Sequence, residues 1–223
     1  MVYLRRSINI ISLDILNKIK GENMNKKIKL SLLALLLMFT LVLTGCFGNN
    51  EDEDYDNGET DTRETQTQNQ NNNQNRPGEL LEGFERFEND YYEIQFPSDW
   101  EQSVQEMMGI EMPTFAAPGL RASVNIAMEE LPGRLDLDEY REASVAMLEM
   151  VFGNAIGEVN AERVTVNGLQ AYRITYTHNT LGEYTQTMIV DGTRAFIITL
   201  LEVGGYEGGT PIYNQMLNTF VIK

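Results

Sequence analysis

For residues 79–223 this 223-residue chain predicts an α+β domain built on a mainly antiparallel sheet. Three observations carry that reading. Apolar residues recur at every second position in Tyr92-Ile94-Phe96 and in Ala122-Val124-Ile126-Met128, the period of a strand with one buried face. Tight-turn dipeptides, Asn167-Gly168 and Asp191-Gly192, separate consecutive apolar runs, as in a meander of hairpins. Helical periodicity is confined to two segments, and strands therefore outnumber helices.

In chain order, residues 1–23 come first. They precede an export signal and fit no part of it, so Met24 is the expected start and residues 1–23 an over-extended reading of the gene. Lys20 to Met24 can be encoded by a purine-rich ribosome-binding run just upstream of a start codon. The rival is an amphipathic segment, with Leu4, Ile8, Ile11, Ile15 and Ile19 at helical spacing. Residues 24–45 read as a lipoprotein signal peptide: Lys26, Lys27 and Lys29 form a cationic head, Leu30 to Thr44 carry no charge, and small residues close the run. The apolar run is shorter than the roughly 20 residues of a membrane span. Leu43-Thr44-Gly45-Cys46 resembles the lipobox of bacterial lipoproteins. That resemblance implies a diacylglyceryl group on the Cys46 thiol, acylation typified by palmitate, and cleavage just before Cys46. An uncleaved anchor and a buried core helix are the other readings.

Residues 46–78 combine that cysteine with a stretch free of aliphatic residues and rich in Asn, Gln and acid. It cannot bury enough apolar area to offset its ordering entropy, and is expected to be a disordered tether. Glu51 to Asp54 with Asp56 does not follow the spacing of a calcium loop.

From residue 79 onward, Tyr92 to Phe96 is a half-buried strand ended by Pro97, and Ala122 to Met128 a second. A helix follows, with Asp136 as cap and Glu139 three residues on. Leu137, Tyr140, Ser144, Met147, Leu148 and Val151 lie on one face, and Gly153 terminates it. Ala161 to Val166, a strand through Tyr172, Ile174 and Tyr176, then Tyr184 to Val190 and Ala195 to Leu201 form the meander, the last being the most apolar and central. Residues 204–209 form a glycine-rich loop. Thr210 is expected to cap a final helix with Pro211 at its first position, and Phe220 to Ile222 end the chain extended.

Composition limits the partners. Beyond Cys46 the chain has 10 basic and 31 acidic residues, a surface that repels phosphate backbones and argues against nucleic acid. Cys46 is the single cysteine, which leaves no disulfide within one chain.

The order of these pieces resembles the PsbP/DcrB-like fold family. Tyr92-Glu93-Ile94-Gln95-Phe96-Pro97-Ser98-Asp99-Trp100, Val166-Asn167-Gly168-Leu169-Gln170-Ala171-Tyr172 and a terminal helix running into Thr219-Phe220 carry the likeness. It implies an antiparallel sheet flanked by helices in an α-β-α sandwich, and it implies no activity. No catalytic motif can be carried over, and the metal-linked histidines of some members have no counterpart, since His178 is the one histidine.

Chemistry-bearing residues are few. A triad would need His178 beside Ser98, Ser103, Ser123 or Ser144, none in a nucleophile-elbow context. His178 is expected at a solvated hairpin end. Glu129-Glu130 point to opposite faces of a strand, and Asp136, Asp138 and Glu139 suit a helix N-terminus; capping and solvation account for both groups. Met107, Met108 and Met112 fit either cuprous-ion ligation or gap filling. Trp100 is expected as a core plug, with a ligand-stacking platform as the alternative. These readings lead to a non-enzymatic lipoprotein, with no catalytic residue, metal or cofactor. It is anchored by Cys46 on the extracytoplasmic face of the cell membrane as a binding or accessory module for an envelope protein. The alternative is a small-molecule or metal-binding lipoprotein associated with a transporter.

Overall fold

The structure, a computed structural model, describes residues 79–107, 110–206 and 208–223. Its strands are β1 (Phe84–Glu88), β2 (Tyr92–Pro97), β3 (Glu101–Met107), β4 (Ile110–Ala116), β5 (Ala122–Glu130), β6 (Asn160–Val166), β7 (Leu169–His178), β8 (Gly182–Asp191), β9 (Arg194–Glu202) and β10 (Val221–Ile222). Its α-helices are α1 (Leu137–Phe152) and α2 (Gly209–Thr219). The fold class is α+β, as the periodicities predict.

The most apolar strand lies at the centre. β9 is the fourth of seven in a sheet ordered β3-β4-β5-β9-β8-β7-β6, with every pairing antiparallel. Phe196, Ile198 and Leu200 point to one face, and Ala195, Ile197 and Leu201 to the other; all are buried. A strand apolar on both sides must be covered on both sides, and two layers do this. On one face α1 packs Tyr140, Met147 and Leu148 against Ile174, Tyr176, Tyr184, Met188 and Ile197. On the other, α2 places Tyr213, Met216 and Leu217 with Val124, Ile126, Ile198 and Leu200. The helices thus sandwich the sheet. Each large side chain so buried contributes about 1.5–3 kcal/mol.

A second, three-stranded sheet, β1-β2-β10, completes the α2 side. It gathers chain ends that are distant in sequence: Val221 pairs with Glu93 and Ile222 with Tyr92. Aromatic rings join the two sheets, with Phe96 stacked on Phe115 at 4.4 Å and Tyr92 edge-on to Phe196 at 6.0 Å. Trp100 is buried in this layer, the core plug expected of it.

Local chemistry accounts for the boundaries. Asp136 accepts from the Glu139 N–H at 2.8 Å and Glu139 returns a bond to the Asp136 N–H, a complete capping box at the start of α1. Asn167 and Gly168 both have positive φ (47° and 83°), the geometry of a two-residue hairpin turn between β6 and β7. The next two-residue turn is Gly192-Thr193, one position later than expected, because Asp191 still pairs with Arg194.

Elsewhere the structure departs from, or adds to, the sequence reading. The stretch 101–116, which carries no clear apolar alternation, forms the hairpin β3–β4. β3 is an exposed polar edge, and Pro113 lies outside the ladder to β5, which spans Thr114–Ala116. Gln95 is not on a wet face: it is 4% exposed, and its side chain accepts from Leu81 N and donates to Glu79 O, both at 2.8 Å. Thr210 does not cap α2; the capping group comes from β9, as described next.

Candidate functional site

Where β9 ends, a segment of the chain reverses direction with the help of glycine. Gly204 and Gly205 take φ of 67° and 72°, a left-handed conformation that β-carbon-bearing residues adopt at a cost. Opposite them, the turn before β5 contains Gly119 and Leu120, also left-handed, and leads into Arg121. The two turns are joined by a backbone bond from Val203 N to Arg121 O at 2.9 Å. Between them lies a surface cleft of about 540 Å³, lined by Arg121, Val203, Gly204, Gly205 and Tyr206.

Just before the cleft in the chain, a buried carboxylate ties β9 to α2. Glu202, 7% exposed, accepts from Gly209 N at 2.8 Å and Thr210 N at 3.1 Å through Oε1, and from the Thr210 hydroxyl at 2.8 Å through Oε2. This is the capping that sequence reasoning assigned to Thr210. It satisfies the orphan N–H groups of α2 and places a negative charge at the positive end of the helix dipole. Nothing local in the sequence signals it, since donor and acceptor lie on separate elements.

The cleft's cation is Arg121, whose side chain is exposed. Among the described residues it makes no ion pair, whereas Arg141, Arg163, Arg173, Arg194 and Lys223 each face a carboxylate. Arg86 is engaged as well. Val203, 40% exposed, lines the cleft, and Leu120, 44% exposed, precedes Arg121 in the chain.

The other chemistry-bearing residues are taken up in structural roles. Asp138 accepts from the Tyr172 hydroxyl at 2.6 Å and from Arg163, while Arg141 and Arg163 lie 5.4 Å and 5.3 Å from the Tyr172 ring centre. The Tyr172 hydroxyl, with Arg163 beside it, holds the Asp138 carboxyl below its ordinary range. His178 does sit at a hairpin end, yet it is partly buried, edge-on to Phe152 at 5.4 Å, with Nδ1 accepting from Thr180 N at 3.3 Å. That burial lowers its proton affinity. Ser144 donates to the Tyr140 carbonyl at 2.8 Å.

Glu129 departs from expectation: it is 4% exposed rather than solvated, while its neighbour Glu130 is exposed on the opposite face. Its charge, after the effect of burial, raises the proton affinity of the Tyr140 hydroxyl. Met112 is buried as a core filler; the Met107 side chain and Met108 lie outside the described residues. So do Leu43, Thr44, Gly45 and Cys46. No group of three or more His, Cys, Asp or Glu side chains gathers to hold a metal among the described residues. Among them, too, no helix is long and apolar enough to cross a membrane.

The arrangement of sheet, helices and aromatic layer is that of a PsbP-like α+β fold. The solution structure of cyanobacterial PsbP (CyanoP) from Synechocystis sp. PCC 6803 matches with a TM-score of 0.52, covering 66% of this chain and 96% of that one at 13% identity. At that identity the likeness is one of fold. A crystal structure from Bacteroides thetaiotaomicron VPI-5482 overlaps more loosely, with a TM-score of 0.39 and 15% identity over 59% of this chain and 45% of that one. No family model matches the chain, and no curated protein matches it in sequence.

Proposed function

We propose that the chain is an exported lipoprotein, anchored through Cys46 on the extracytoplasmic face of the cell membrane, whose PsbP-like domain is a non-enzymatic binding or accessory module for an envelope protein. The observation that carries the anchoring is Leu43-Thr44-Gly45-Cys46, with the single cysteine of the chain at the end of an uncharged run behind three lysines. Two acyl chains at roughly 0.8 kcal/mol per buried CH₂ hold a protein on a bilayer almost permanently. The non-enzymatic reading is supported by the positions of the polar groups. Asp136 caps a helix, Asp138 binds Arg163 and Tyr172, Glu202 caps α2, and His178 is bonded within its own turn. None of these groups converges with another on a common cleft, as acid–base work requires.

The test pairs two variants in a deletion strain. Cys46→Ser is expected to abolish palmitate labelling, block precursor processing and fail to restore the deletion phenotype. His178→Ala, at normal protein level, is expected to restore it. Acylation of the Cys46→Ser protein would overturn the anchoring, and loss of function with His178→Ala would bring an enzyme to the front. The second reading, a ligand-binding lipoprotein associated with a transporter, is favoured by the Arg121 cleft. A cationic cleft of that kind suits an anion rather than a metal ion.

A further inference from the structure

We propose that the outer edge of β3 is a docking site for an extended basic segment of an envelope protein, which adds to the sheet as an antiparallel strand. The proposal rests on the reading of this domain as a binding module and deepens it, naming the surface and the chemistry of what it takes.

The edge is open. β3 ends the seven-stranded sheet, and among the described residues no strand pairs with its outer side. Its register with β4 runs unbroken through seven pairs, from Glu101 with Ala116 to Met107 with Ile110. The strand thus has no bulge, and its sequence has no proline or lysine, the usual devices that blunt an edge. Every second residue of such a strand turns its N–H and C=O away from its partner. Seven residues therefore offer roughly 20 Å of edge for ladder bonds. The side chains from Glu101 to Glu106 are exposed, with Gln105 partly covered, and Val104 at the centre is 52% exposed. Other edges suit the role less. β10 is two residues long. On β6 the charges of Glu162 and Arg163 cancel, and Arg163 is held by Asp138 and Tyr172.

Charge selects the occupant. Residues 101–116 hold three acids, Glu101, Glu106 and Glu111, and no cation. Residues 79–223 as a whole contain 23 acidic and eight basic side chains. Glu106 stands directly opposite Glu111 in the register, and like charges opposite each other weaken a ladder. A lysine or arginine of an added strand, across from Glu106, lessens that repulsion. A second copy brings the same acids and the same net charge to the edge and is repelled. The carboxylates thus keep identical chains apart while admitting a basic one.

The register then fixes the pattern. Counted antiparallel from the residue opposite Met107, positions two and seven of the added strand meet Glu106 and Glu101 and call for Lys or Arg. Position four meets Val104 and calls for an aliphatic residue. Main-chain bonds supply the affinity, and these three positions supply the selection.

The probe is acetyl-Thr-Lys-Thr-Val-Thr-Thr-Lys-amide, titrated at physiological salt into full-length chain in detergent micelles while amide NMR signals and hydrogen exchange are followed. Saturable shifts and slowed exchange should centre on residues 101–107. The reversed peptide has the same charge but its lysines are out of antiparallel register, and it should bind several-fold more weakly. Lysine-to-glutamate replacement in the peptide should abolish binding. Of two peptides N-methylated at even or at odd positions, one should bind and one fail, because only alternate N–H groups of the added strand face β3. A chain carrying both Glu101→Lys and Glu106→Lys should bind the peptide about tenfold less tightly. The same charge change at exposed positions elsewhere, Glu149→Lys with Glu158→Lys, should alter it less than about twofold, since salt screens distant charges. No saturable shift up to about 10 mM, at which a millimolar site is about nine-tenths filled, overturns the site. So does equal or tighter binding of the reversed peptide, binding of both N-methylated peptides, or undiminished binding by the Glu101→Lys, Glu106→Lys chain. Concentration-dependent broadening at residues 101–106 in the free chain would make the occupant a second copy and overturn the basic partner. Failure here leaves the binding-module reading to the complementation strains and the anchoring to lipid labelling, neither of which involves β3.

Discussion

The Glu202 carboxylate, the last residue of β9, accepts the Thr210 hydroxyl at 2.8 Å while its other oxygen accepts the Gly209 and Thr210 N–H groups. One side chain thus ties the central strand to the start of the helix that covers it. Glu202→Ala should lower unfolding free energy by roughly 2–4 kcal/mol, because it strands buried donors as well as deleting a charge-assisted cap. Glu202→Gln keeps one acceptor oxygen and should lose about half as much. Urea denaturation of the two variants side by side measures this, and equal, negligible losses would remove Glu202 from the account of α2.

Gly182 opens β8 at φ 130°, with the Glu202 carbonyl where a β-carbon would stand. Gly182→Ala is expected to cost more than about 2 kcal/mol, from strained backbone plus displacement of the β8–β9 ladder. Gly192→Ala has open space and should cost only about 1 kcal/mol for its left-handed φ. Thermal melts of both variants check the contrast.

Tyr213 is fully buried, its hydroxyl donating to the Ile198 carbonyl at 2.7 Å and accepting from Thr187 at 2.7 Å. Tyr213→Phe should cost about 1–2 kcal/mol and Thr187→Val a similar amount. Because they share one bond, the double variant should lose less than the sum; strict additivity in a double-mutant cycle would mean the pair is not coupled.

Asp138 should titrate below the ordinary aspartate range, since the Tyr172 hydroxyl and then Arg163 favour its charged form. A carboxyl with a depressed folded-state proton affinity stabilises the fold above its unfolded pKa, and that contribution is lost as pH falls through the folded value. Carbon-detected NMR titration of the Asp138 carboxyl should show this midpoint, and Tyr172→Phe should move it upward. A midpoint unchanged by Tyr172→Phe would break the assignment.

His178, as the single histidine, gives an isolated ring-proton signal. Partial burial depresses its proton affinity, so its midpoint should fall below the usual value near 6.5. Here the unfolded chain takes up the proton first, so stability should decline slightly as pH falls through the unfolded midpoint. His178→Ala should flatten that part of the pH–stability curve.

Several elements were legible because their signals are local. The Asp136–Glu139 box, the Asn167-Gly168 turn and the alternation in Ala122 to Met128 each lie within a few residues of chain, and the structure places each where the pattern predicts. The hairpin β3–β4 was not legible, because β3 is an edge strand exposed on both faces and β4 is buried without a break from Met112 to Ala116, so neither shows an apolar alternation. Glu129 was misread for a related reason. Position on a strand gives the face to which a side chain points, and what lies over that face is set by α1, which begins eight residues further on at Leu137.

By itself, then, the sequence determined the period of β2, β5 and β7, the cap of α1, the Asn167-Gly168 turn, the centrality of residues 195–201, and the acidity that sets the long-range field. These depend on neighbours along the chain and on summed charge. Only the tertiary structure decided that Val221-Ile222 pairs with β2, that Gln95 is drawn into the backbone of residues 79–81, and that Glu202 caps α2. Each of these requires groups remote in sequence to meet within about 3 Å, and which of many acids and cations do meet is settled by how the layers pack over β9.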